Sequence, residues 1–259
     1  MKTSRLVALI VVPLLFACAP KKPEIPMTEV PARALLDALE QRRQSFKALK
    51  AVASVEIVKR GRKRTLESVG IVLDGQRRLR MEAYDPLGQT VLALVWDGRD
   101  ILLRLPDSGK VLRPGQAGLD QLLGEGLDIQ ELCAVLSGTV PGPLSPHEAS
   151  QRCAQNGDCV LEIRHDDSVR RIEVSYAASG PAEEPRLLSQ ELYRSGTLLY
   201  RARFELIQAV SHYPLPIKIE IENPGRKLLL TIEYGDAAVN VPISDEAFIL
   251  TDGDEDGRN

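Results

Sequence analysis

Four cysteines and three histidines are the side chains of this 259-residue sequence best suited to covalent or metal chemistry. The histidines are scattered: His147 follows Pro146, His165 stands beside Asp166, Asp167 and Ser168, and His212 precedes Tyr213-Pro214. None belongs to an H-x-x-x-H spacing or a Cys/His cluster, so no zinc site is expected. His165, Asp166 and Ser168 have the residue types of a hydrolytic triad. Neighbours in one tight turn do not reach triad geometry, however, and no G-x-S-x-G elbow occurs. The glycine-rich stretch 115–126 lacks the G-K-[ST] of a phosphate loop. The sequence therefore predicts no catalytic residue, no metal and no enzyme.

Cysteine chemistry is more informative. Lys2 and Arg5 precede an apolar run over 6–16, broken only by Pro13, which ends at Leu15-Phe16-Ala17-Cys18. A charged start, an apolar run too short to span a bilayer and a small residue before the cut mark a secretory signal. The cysteine after Leu-Phe-Ala resembles the bacterial lipobox, which implies cleavage after residue 17 and diacylglyceryl and N-acyl lipid on Cys18. No other cofactor is expected. Residue 19 is Ala rather than the Asp of inner-membrane retention, which favours an outer-membrane anchor facing the periplasm. Residues 18–28, rich in Pro and Lys, read as a tether. Cys153 and Cys159 flank Ala-Gln-Asn-Gly-Asp, and an exported chain permits a disulfide closing that loop, with free thiols as the alternative. Cys133 falls in an apolar stripe and reads as a small buried hydrophobe.

The elements that would position these residues follow from periodicity. Residues 28–50 are predicted as a helix through Leu35, Leu39, Phe46 and Leu49, with Arg42, Arg43 and Lys47 on other faces and Pro31 in the first turn. Strands are expected at 51–58, 66–73, 77–84, 90–96 and 101–105, the last two joined by an Asp97-Gly98 hairpin turn. The middle, 119–136, is helical. There Asp128 and Glu131 form a capping box, and Ile129, Leu132, Cys133 and Leu136 form one stripe. Strands resume at 160–164, 169–176, 187–194, 197–206, 217–222 and 228–234, with 248–250 closing the fold. The acidic end, 252–259, reads as a solvated tail. The expected class is α+β: an incomplete antiparallel β-barrel of about eleven strands, with a helical lid over an apolar cavity, occupying 29–251. A formal net charge of −3 gives no field for nucleic acid.

Two surface features stand out. Lys59-Arg60-Gly61-Arg62-Lys63-Arg64 packs five cations into one turn, and Asp85-Pro86-Leu87-Gly88 is a tight turn holding a large apolar residue. In a simple meander both turns fall at one end of the sheet. Cations there suit anionic headgroups, and Leu87 suits insertion among acyl chains.

The lipobox, the strand Arg78-Leu79-Arg80-Met81 leading into Asp85-Pro86-Leu87-Gly88, and the helix over 129–136 followed by Ser137-Gly138-Thr139-Val140-Pro141 together resemble the outer-membrane lipoprotein receptor LolB and its relatives. That resemblance implies a half-barrel with a lidded apolar cavity, cargo of acylated lipoproteins or other lipids, and a periplasmic LolA-type carrier as donor. It also implies a membrane-inserting leucine at the position of Leu87. Aromatic content of 4%, the Cys153–Cys159 loop and the acidic tail depart from the family pattern. The alternative reading is an envelope scaffold lipoprotein whose core is filled and which carries nothing.

Overall fold

A computed structural model describes residues 27–104, 111–113, 123–144, 148–176 and 185–249. Cys18, the signal, most of the tether and the acidic tail lie outside the described residues.

Among the described residues, alternating apolar residues build a single antiparallel sheet of fourteen strands. In chain order these are β1 (Met27–Val30), β2 (Ala48–Lys59), β3 (Arg62–Asp74), β4 (Arg78–Tyr84), β5 (Thr90–Trp96), β6 (Ile101–Arg104), β7 (Val111–Leu112), β8 (Ala149–Ala154), β9 (Asp158–His165), β10 (Ser168–Ser175), β11 (Arg186–Arg194), β12 (Thr197–Val210), β13 (Tyr213–Asn223) and β14 (Leu228–Val239). Helix α1 (Arg33–Ser45) precedes β2, and α2 (Ile129–Ser137) lies between β7 and β8. The sheet order is β1-β8-β9-β10-β11-β12-β13-β14-β2-β3-β4-β5-β6-β7, so β14 pairs with β2, and among the described residues the short strands β1 and β7 form the edges. One cluster of buried apolar side chains joins β2 to β6 and β9 to β14 with both helices. Thirteen strand gaps at about 4.8 Å would make a flat sheet about 60 Å wide, which could not share one core; the sheet curls around it.

The strand count exceeds the expected eleven for local reasons. Polar Ala149–Ala154 has no apolar alternation of its own, and is fixed by pairing with β9 and β1. The expected helix over 28–50 is shorter at both ends: β1 occupies its start, Pro31 precedes Ala32 at the N-cap, and β2 takes its last residues. The domain boundary at 29 therefore falls inside β1. Of the expected closing strand over 248–250, Phe248 ends a 3₁₀ helix, Asp245–Phe248, capped by Ser244, and residue 250 lies outside the described residues.

Helix α2 lies against the concave face. Asp128 Oδ1 accepts from the Glu131 backbone N–H at 2.7 Å. The reciprocal half of the expected capping box is absent, since the Glu131 carboxylate is used by the barrel wall. The stripe through Ile129, Leu132, Cys133 and Leu136 is buried, and so are Ala134, Val135 and Ser137 on the other faces. With only Gln130 of its first turn exposed, the helix fills an interior rather than covering it. Gly138 ends it in the left-handed region at φ 64°, and the Thr139 N–H donates back to the Ala134 carbonyl at 2.9 Å. No side chain fits there: a Cβ on Gly138 would stand 2.5 Å from Cδ of Pro216.

Candidate functional site

The basic turn is a two-residue hairpin between β2 and β3. Arg60 and Gly61 both take positive φ, 51° and 78°, which matches the twist of the flanking strands and needs glycine at the second position. Lys59 pairs with Arg62 and Ile57 with Arg64. A bulge between Ala53 and Val55 leaves Glu67 and Ser68 facing one β2 residue, so side-chain alternation on β3 changes phase there. As a result Arg62 and Arg64 share the concave face with Lys59, Ile57 and Leu66. Lys63 lies on the outer face in a 2.6 Å ion pair with Glu56. Pairing with β14 also brings a second turn to the same tip. Leu228 sits opposite Lys59, and the Arg60 N–H donates to the Lys227 carbonyl at 2.9 Å. The tip thus carries Lys59, Arg60, Arg62, Lys63, Arg64, Arg226 and Lys227. The last two follow the Asn223-Pro224-Gly225 turn signal, and only the sheet order places them beside the basic run.

The second turn joins β4 to β5. The Asp85 side chain accepts from the backbone N–H groups of Leu87 and Gln89, both at 2.9 Å, and its carbonyl accepts from the Gly88 N–H at 2.9 Å. This Asx-type turn projects Leu87, whose exposure of 83% is the highest among the exposed large apolar residues described. Because β2 and β4 both run antiparallel to β3, the two turns lie at the same strand ends. They are not level. The last β3–β4 ladder pair is Val69 with Ala83, and the β2–β3 tip extends about seven residues, roughly 20 Å, beyond that pair, farther than the short Asp85–Gln89 turn.

Below these turns the concave wall meets α2 through polar contacts. Glu131 receives Tyr200 Oη and Arg170 Nη2 in short hydrogen bonds, with Arg170 Nη1 on Glu131 Oε2 at 3.1 Å. Burial in this cluster pushes the Tyr200 hydroxyl far above its ordinary value, and the Glu131 charge adds to it. At the other end of α2, Tyr213 Oη donates to the Ser137 carbonyl and Tyr234 Oη to the Leu136 carbonyl, both at 2.8 Å. Arg42, expected on an outer face of α1, instead points inward. Its Nε donates to the Gly138 carbonyl at 2.7 Å and its Nη2 to the Pro214 carbonyl at 2.6 Å.

The remaining candidates sit elsewhere. Cys153 and Cys159 are joined by a disulfide across the β8–β9 turn. Burial raises the Cys133 thiol well above its ordinary pKa, which makes it a poor nucleophile. His165 is exposed, with Nδ1 3.5 Å from Glu148 and Nε2 3.6 Å from Asp166, while His147 lies outside the described residues. Among the described residues no group of three His, Cys, Asp or Glu could hold a metal, and no helix is long and apolar enough to cross a membrane. An open cleft of about 450 Å³ with a mixed polar and apolar lining lies at the opposite strand ends, lined by Asp74, Arg78, Trp96, Asp97 and Gln130 among others.

No family model and no curated protein matches the sequence. Solved structures match the fold. A DUF1329 family protein from Desulfovibrio piger aligns over 85% of this chain and 97% of its own, with a TM-score of 0.58 and 14% identity. A LolA superfamily protein from Nitrosomonas europaea covers 85% and 98%, with 0.57 and 14%. A protein described as an outer membrane lipoprotein-sorting domain from Vibrio parahaemolyticus covers 82% and 95%, with 0.56 and 15%. The chain therefore has a LolA/LolB-type fold, an open antiparallel sheet curled around its helices.

Proposed function

We propose that this protein is an outer-membrane lipoprotein, anchored by lipid on Cys18 and facing the periplasm, that accepts acylated lipoproteins or other lipids on its concave face and helps insert them into the membrane. The observation that carries this reading is the convergence at one set of strand ends of a seven-cation tip and an 83% exposed leucine. Cations hold anionic headgroups and the leucine enters the acyl layer. No covalent step is involved: acyl chains move by apolar burial, and α2 must draw back to uncover the wall. The polar part of its clasp to the sheet, the contacts of Glu131 and the tyrosine hydroxyls, is made of bonds that water or cargo groups can replace. A LolA-type carrier is the donor.

Burial of every residue of α2 except Gln130 favours a second reading, an envelope scaffold with a filled core. One experiment separates them. The full chain carrying Cys18→Ser, which cannot receive the lipid, is titrated with a fluorescent fatty acid and then challenged with an acylated lipoprotein. Saturable binding displaced by the lipoprotein supports the acceptor; a folded chain that binds no probe supports the scaffold.

A further inference from the structure

The concave wall contains an amide with nothing to bond among the described residues. Gln190 of β11 stands in register between Ile172 of β10 and Ala202 of β12, both core residues, and is 0% exposed. Neither its Oε1 nor its Nε2 has a hydrogen-bond partner among the described residues. In the same register row, past Ile172 and Leu161, Gln151 of β8 is also buried, with its Oε1 unpaired. Two residues along β11, Leu192 faces Arg170 and Tyr200, the wall side of the α2 clasp. Buried amides are almost always bonded, and an orphan on an inner wall calls for a ligand or a water. Methionine would occupy the same volume without the loss.

We propose that Gln190 reads the polar linkage of an acyl cargo, an inference that rests on the acceptor function above. When α2 draws back and an acyl chain lies along the wall, Nε2 donates to an acyl carbonyl, and Oε1 accepts from a hydroxyl or N–H beside it. The site then selects acylated glycerol or an amide-linked acyl group over bare hydrocarbon. Discrimination arises because only the former satisfies a donor and an acceptor already withdrawn from water.

The test compares wild-type and Gln190→Met full chains, each carrying Cys18→Ser, by displacing a fluorescent fatty acid with monoolein and with octadecene, a hydrocarbon of equal chain length. Gln190→Met should melt about 3–6 °C higher, bind octadecene as before and lose about five- to tenfold in monoolein affinity. An unchanged monoolein-to-octadecene ratio overturns the proposal, with a trapped water as the amide's partner. A variant that melts lower than wild type also overturns it, because the amide is then already bonded within the protein. A wild-type chain that binds neither the probe nor either ligand rejects the acceptor reading itself, a result distinct from both.

Discussion

Leu87→Ala isolates one side chain's contribution to membrane contact. The side chain is 83% exposed, and the turn beneath it is held by Asp85 and by backbone groups. Folding stability should therefore change by less than about 0.5 kcal/mol. Leucine exceeds alanine by three carbons, so at about 0.8 kcal/mol per buried methylene full insertion is worth about 2.4 kcal/mol. Scaling by the 83% that is free to insert gives about 2 kcal/mol, a roughly thirty-fold weaker partition. The assay is co-sedimentation of the full chain carrying Cys18→Ser with vesicles containing anionic lipid, alongside thermal unfolding of the same samples. Leu87→Glu should go further and abolish lipoprotein delivery, because a carboxylate resists leaving water. Vesicle binding equal to wild type would refute the insertion role. A melting temperature several degrees lower would show instead that Leu87 packs within the fold.

The other predictions concern charge, packing and pH. Replacing Arg62 and Arg64 together by alanine should weaken binding to anionic vesicles by about 2 kcal/mol at low salt, and the difference should vanish near 1 M salt, read by co-sedimentation across a salt series. Gly138→Ala should cost about 2–4 kcal/mol in denaturant unfolding, from the left-handed backbone and the collision with Pro216. Burial alone would raise the Glu191 pKa, but hydrogen bonds from Tyr193 and Arg201 hold it below its ordinary 4.5. Its contribution is therefore present above pH 4.5 and is lost as pH falls through the lower, folded-state value. Glu191→Gln should flatten that acid limb in a series of melting temperatures between about pH 3 and 7.

Much of this architecture is written in local pattern. Ser195-Gly196, Asn223-Pro224-Gly225 and Asp85-Pro86-Leu87-Gly88 each punctuate the chain where a hairpin turns, and the stripe on α2 marks its helix. What stayed hidden depends on partners distant in sequence. Glu131 has capping-box spacing, yet Arg170 and Tyr200, 39 and 69 residues away, take its carboxylate. Arg42 reads as a solvent-facing cation until the carbonyls of Gly138 and Pro214 appear beside it. Arg226 and Lys227 join the basic tip only because β14 pairs with β2. The inward turn of Arg62 and Arg64 comes from a bulge that no residue type announces.

Strand β1 begins at Met27 opposite Ala154, at the strand ends away from Leu87 and the cationic tip. With lipid on Cys18 as proposed, nine residue steps lead to Met27, and such a leash reaches at most about 30 Å. A strand of thirteen residues such as β3 is about 43 Å long. The leash is thus shorter than the body it restrains. Run back along the sheet, it reaches the level of Leu87, which lies short of the tip, but not the cationic tip itself. Adding about ten flexible residues before Met27 lengthens the reach by tens of ångströms and should raise delivery, whereas deleting residues 21–24 should lower it with cargo affinity unchanged. Leash length then decides whether the cationic tip can touch the membrane that holds Cys18.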